Sequence, residues 1–149
     1  MLEDSRADYH VHSAQSDGEA KPEQIPELAR KAGLAAVAIA DHLDPYAPGY
    51  EPVPGKFLDL PRLAAMLRWR DQWRASDQGH VMDLFVGIER GPLPVPLGGA
   101  TPDFIIASVH YLTAGAPAVR GRLFDETYWY AYMQGVLDVV SGPQADVVG

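Results

Sequence analysis

The chain holds five histidines, His10, His12, His42, His80 and His110. His10 and His12 stand two positions apart in Ala7-Asp8-Tyr9-His10-Val11-His12-Ser13. On a strand, positions i and i+2 point to one face, so the two imidazoles can converge on one point as a metal site requires. One helix length further on, the apolar run Ala35 to Ala40 ends in Asp41-His42. Gly87-Ile88-Glu89 ends a third apolar run and Ser108-Val109-His110 a fourth. Asp17 lies after the first pair, in an Asp17-Gly18 turn, and Arg90 directly follows Glu89, where it could meet an anionic group or stand in solvent. Histidine and carboxylate without any cysteine suit two or three divalent ions such as Zn²⁺, Mn²⁺ or Fe²⁺. His80 follows Gly79 in a polar turn and reads as solvated.

The elements that must carry these groups follow from pattern. Strands are expected over Ala7 to His12, Ala35 to Asp41, Met82 to Glu89, Pro102 to Val109 and, starting at Asp146, Val147-Val148. The second is apolar throughout, as a parallel strand buried on both faces should be. Helices are expected over Pro22 to Ala32, with Ile25, Leu28, Ala29 and Ala32 on one face and Gly33 as the stop, and over Leu58 to Ala75, with Asp59 as N-cap. A third covers Glu126 to Val140 and carries Tyr128, Trp129, Tyr130 and Tyr132, whose helical spacing reads as packing rather than a base-stacking platform. Loops rich in proline and glycine span Leu43 to Lys56 and Arg90 to Thr101, with a further loop over Thr113 to Leu123. Strands alternating with helices predict an α/β fold with a parallel sheet of about five strands, part of a distorted βα (TIM-like) barrel. In such barrels the active site forms at the C-terminal rim of the strands, where four of the five histidines fall.

Length and composition set the outer bounds. The 149 residues are 47% apolar and make one ordinary domain with a real core. Twelve basic against twenty acidic side chains give a formal charge of -8, which disfavours passive binding to a nucleic-acid backbone. Bound cations would reverse the local field, so small anionic substrates stay open. No stretch resembles a signal peptide or approaches a membrane span, and a cytoplasmic protein with no membrane partner is expected.

Four short motifs in order resemble the PHP (polymerase and histidinol phosphatase) family. Asp8-Tyr9-His10-Val11-His12-Ser13 is similar to its first motif, and Ala40-Asp41-His42 to its second, usually T-D-H, with alanine here in place of threonine. Gly87-Ile88-Glu89 and Ser108-Val109-His110-Tyr111 resemble the motifs of the third and fourth strands, in the manner of the histidinol-phosphatase-like branch. The resemblance implies a metal-dependent phosphoesterase that cleaves a phosphate monoester, histidinol phosphate or a similar small phosphorylated metabolite, through a metal-bridging hydroxide. It implies His10 and His12 on one metal, Glu89 bridging, His110 on the second, and Asp17 with His42 on a third. Asp41 joins Glu89 as a catalytic expectation, or orients a ligand. The family continues beyond the fifth strand with a G-H and later a D-x-H motif, so residues 1–149 are expected to form a single, incomplete PHP domain.

Two other readings compete. An amidohydrolase-type metal hydrolase also begins with an H-x-H pair, but it often places a carboxylated lysine on the fourth strand. Lys21, Lys31 and Lys56 are the only lysines, none near Phe104 to His110. A non-catalytic, incomplete metal-binding fragment is the other alternative. A polymerase-associated proofreading module fits the acidic charge poorly.

Overall fold

The computed structural model describes residues 6–44, 57–110, 126–142 and 145–148. Of the loops expected over Leu43 to Lys56 and Thr113 to Leu123, only Leu43 and Asp44 fall among them; Tyr111 lies outside as well. Strands β1 (Ala7–Val11), β2 (Ala36–His42), β3 (Asp83–Arg90), β4 (Ile105–Ala107) and β5 (Val147–Val148) pair in parallel in sequence order. The sheet curls into a half-barrel, part of a TIM-like barrel. Helices α1 (Ile25–Lys31), α2 (Leu60–Arg74) and α3 (Glu126–Ser141) fall between β1 and β2, β2 and β3, and β4 and β5. The connection from β3 to β4 carries no helix.

Strand parity sorts the sheet residues into two layers. Val37 and Ile39 of β2 and Leu84, Val86 and Ile88 of β3 join Ile25 and Ala29 of α1 and Leu63, Met66 and Leu67 of α2 in one core. Burying each aliphatic side chain of this kind contributes about 1.5–3 kcal/mol. Alternate residues face the opposite way. These are Ala38, Ala40 and His42 on β2 and Gly87 and Glu89 on β3. On β2 this face is built of alanines until the rim, and on β3 it runs from Phe85 through Gly87 to Glu89, so that both strands end in ligating types. At Gly87 an added Cβ would stand 2.6 Å from the Phe104 ring, so glycine there lets that ring lie against the strand.

Several local expectations shift by a residue or two. Pro22–Gln24 form a 3₁₀ turn ahead of α1, which puts Pro26 at the second helical position, where its missing N–H costs no bond. Gly33, at φ +78°, closes α1 as expected, with the Leu34 amide donating to the Ala29 carbonyl at 3.0 Å. Leu28 does not join the buried face; it is exposed, and Ile25, Pro26 and Ala29 do that work. Asp59 caps α2 by accepting the Arg62 amide at 2.8 Å. β4 is shorter than the pattern implied; ahead of it the Asp103 carboxylate takes the Val86 amide at 2.8 Å, while the Asp103 amide donates to the Val86 carbonyl at 2.8 Å. Along α3, Val139 is buried and Gly135 admits Val109, whereas Trp129, Tyr130, Met133, Leu137 and Val140 face outward. The aromatic cluster is thus less buried than expected. Trp69 and Trp73 do pack against the core, and the Trp73 indole donates to the Met82 carbonyl at 3.1 Å.

Candidate metal centre

The C-terminal rim of β1 to β4 gathers four imidazoles around one carboxylate. The parallel register pairs His42 with Glu89, which sets these side chains next to each other on the concave face. β1 approaches with a register shift between Asp8 and Val11, an irregularity of the sort that re-aims side chains at functional rims. Glu89 Oε2 lies 3.0 Å from His10 Nε2, 3.0 Å from His12 Nε2 and 3.4 Å from His42 Nδ1. Glu89 Oε1 accepts the Ser108 hydroxyl at 2.6 Å and lies 3.1 Å from His110 Nε2. The two oxygens divide the neighbours, one toward β1 and β2 and the other toward β4.

Two further carboxylates stand on the outer nitrogens. His12 Nδ1 is 2.5 Å from Asp17 Oδ1, and Asp17 Oδ2 is 3.6 Å from His42 Nε2. His110 Nδ1 is 3.0 Å from Asp44 Oδ2. Three donor groups result: His10, His12 and Glu89; His12, Asp17 and His42; and His42, Asp44 and His110.

The donor set fits divalent cations. A tetrahedral ion with bonds near 2.1 Å separates its ligands by about 3.4 Å, close to the spacing of the first group. His10 Nε2 and His12 Nε2 face each other at 3.1 Å and share one carboxylate oxygen, a convergence of lone pairs that a cation relieves. His42 Nδ1 is buried and makes no hydrogen bond among the described residues, although it faces Glu89. A buried imidazole nitrogen without a partner is costly unless something coordinates it.

Four of the imidazole and carboxylate groups, and the half-buried His42, depart from their ordinary titration. His12 is raised to about 9, chiefly by its hydrogen bond to Glu89 and against the effect of burial, with Asp17 adding to the rise. Burial disfavours the charged form of His110, but Asp44 and Glu89 overcome it and raise that imidazole to about 9 as well. Burial also opposes ionisation of Glu89, yet His110, His12, Ser108 and His10 hold its carboxyl well below the usual carboxylate range. Burial lowers His42 below the ordinary imidazole value. Asp17 is lowered too: its desolvation is outweighed by His12 and His42.

Of the residues expected from sequence, His10, His12, Asp17, His42, Glu89 and His110 come together. Asp41 and Arg90 do not. Each is one position from a rim residue on its strand, so parity sends it to the other face. Asp41 is fully buried and accepts the Ser13 amide, the Ser13 hydroxyl and the Ser16 hydroxyl, each at 2.6 Å. It anchors the turn that carries Asp17 and does not reach the imidazoles. Arg90 is buried, donating to the Gly91 carbonyl at 2.8 Å and the Leu93 carbonyl at 3.4 Å, so it is not a solvated loop arginine. His80 is exposed, as expected. Asp44 was not anticipated. It follows His42 by two positions and so shares its face, but Pro45 directly after it makes it read as a turn residue.

A curled parallel sheet whose rim gathers histidines and carboxylates defines a half-barrel with a candidate metal centre. The PHP domain model matches residues 8–91, more than half of the chain, and the protein belongs to that family. Among solved structures it is similar to a histidinol phosphate phosphatase from Lactococcus lactis subsp. lactis Il1403, crystallised with zinc, L-histidinol and phosphate. The two share 26% sequence identity with a TM-score of 0.71 over 97% of this chain. The chain spans 57% of the length of that phosphatase. No curated protein sequence matches it. Among the described residues no helix is long and apolar enough to cross a membrane.

Proposed function

We propose that these residues form the metal-binding portion of a PHP phosphoesterase that hydrolyses a small phosphate monoester, with a histidinol phosphate-like metabolite as the substrate class. In this reading residues 1–149 are one domain, and His10, His12, Asp17, His42, Glu89 and His110 hold two or three ions of zinc, manganese or iron. The observation that carries it is the Glu89 carboxylate, buried and faced by four imidazoles from β1, from β2 and from the segment after β4. Divalent ions at such a centre lower the pKa of a bound water, orient the phosphoryl group and neutralise its charge. The chain's own contribution is positional. Ser108 holds one oxygen of Glu89 and leaves the other turned toward His10, His12 and His42. Asp41 fixes the Asp17 turn through Ser13 and Ser16. The family match and the zinc, histidinol and phosphate of the Lactococcus phosphatase support this reading over an amidohydrolase.

Metal content of protein purified without chelator or tag-borne metal tests it. Two or three equivalents, falling below one in Glu89→Ala, are expected, with hydrolysis of phosphate monoesters following metal content. Less than half an equivalent in the wild-type protein overturns it.

A further inference from the structure

Among the described carboxylates that face the imidazoles, Asp44 is the one whose side chain is wholly removed from solvent. One of its oxygens, Oδ1, accepts the Gly91 amide immediately after β3. The other, Oδ2, faces His110 Nδ1 at 3.0 Å. His110 Nε2 in turn faces Glu89 Oε1 at 3.1 Å. The imidazole is therefore held between two carboxylates, one on each nitrogen. A carboxylate that accepts from one ring nitrogen fixes the tautomer and leaves the other nitrogen's lone pair free to ligate. Asp44 already receives an N–H from Gly91, so its position is set by backbone and does not depend on His110.

We propose that Asp44 is a positioning residue of the centre: it holds His110 as the Nδ1–H tautomer and directs Nε2 to the ion shared with Glu89. The inference rests on the metal reading above and deepens it by assigning a role to a residue outside the expected ligand set. His12 carries the same arrangement with Asp17 on its Nδ1, but Asp17 is half exposed and also faces His42. The buried, backbone-anchored copy is the one built to orient.

Asp44→Asn separates this role from simple packing. Asparagine keeps the shape but has one acceptor oxygen. The Gly91 N–H needs that oxygen, so the side-chain NH₂ turns to His110 Nδ1 and demands a lone pair there. The imidazole is then forced into the Nε2–H tautomer, with its proton where the ion belongs, as a carboxylate-to-amide change does beside other catalytic histidines.

Long-range ¹H–¹⁵N spectra of histidine-labelled protein read the tautomer directly, and zinc titration of the same samples reads affinity. In metal-free wild-type protein at alkaline pH, where the imidazoles are neutral, His110 is expected as Nδ1–H. Asp44→Asn is expected to convert it to Nε2–H and to weaken zinc at that position roughly 10–100-fold, leaving the His12 spectrum unchanged. A wild-type His110 in the Nε2–H form overturns the proposal without needing any variant. So does an Asp44→Asn protein that keeps the wild-type tautomer and zinc affinity. If wild-type protein binds no zinc but shows the Nδ1–H tautomer that the variant loses, the metal reading fails and the positioning of His110 by Asp44 stands.

Discussion

Replacing Asp41 with alanine removes a carboxylate that never touches the imidazoles, and it should still disturb one part of the centre. The side chain is fully buried and accepts three hydrogen bonds, all at 2.6 Å, two from Ser13 and one from Ser16. Hydrogen bonds to a charged group contribute about 1.5–3 kcal/mol each. The two hydroxyls can rotate toward other acceptors, but the Ser13 amide cannot, and an orphaned buried donor costs about 1–3 kcal/mol. With the hydroxyls paired elsewhere, the charged bond lost by the Ser13 amide and the burial of that donor without a partner together cost about 2.5–6 kcal/mol. At roughly 2–4 °C per kcal/mol for a chain of this size, the melting temperature should drop by about 10 °C. Urea unfolding, with an unchanged slope, gives the free energy, and zinc titration gives the local consequence. The turn holding Asp17 loosens, so the ion assigned to His12, Asp17 and His42 should weaken while the one on Glu89 and His110 persists. A loss of stability under about 1 kcal/mol, or equal weakening of every ion, would refute the assignment of Asp41 as an anchor for that turn.

Two further outcomes are expected. In metal-free protein His12 and His110, raised to about 9 from 6.5, add stability that is complete below about pH 6.5 and is lost as pH climbs through about 9. Glu89, depressed from 4.5, adds stability that is present above about pH 4.5 and is lost on acidification, and the lowered His42 opposes acid in the same sense. Urea midpoints measured across pH should therefore peak near mildly acidic values and fall toward alkaline ones; a midpoint that keeps rising to pH 9 contradicts the raised His12 and His110. Gly87→Ala places a Cβ 2.6 Å from the Phe104 ring and should cost about 1–3 kcal/mol by overpacking, seen in thermal melts; an unchanged melt would show that the ring moves freely.

Periodicity carried the sequence reading as far as the rim. The i, i+2 spacing of His10 and His12 and the positions of His42, Glu89 and His110 after apolar runs point to the rim, with His12 directly past β1 and His110 in the segment after β4. What it missed is parity at the last residue. Asp41 beside His42 and Arg90 beside Glu89 look equivalent to their neighbours in a motif, yet adjacent strand residues face opposite layers. Asp44 was hidden for the opposite reason. It continues the parity of His42 past the end of β2, where Pro45 makes the chain read as a turn. Leu28 shows the same limit on a helix: α1 is seven residues long, and two turns do not fix a face from spacing alone.

Glu89 makes the rim a single joint. Its carboxylate meets side chains from β1, β2 and the segment after β4, while its own backbone belongs to β3. Among the described strands β1 lies at an edge with most of its residues exposed, and just beyond it the Ser13 bonds to Asp41 tie the chain to β2. Ions loaded into this joint would therefore fasten an edge strand to β3 a second time and brace the curl of the sheet as well as serve the proposed chemistry. Binding that favours the folded state adds about 2.7 kcal/mol at a hundredfold excess over the dissociation constant. Stripping the ions should accordingly release the β1 end first, with amide exchange rising at Tyr9 to Ser13 before it rises in β2 or β3.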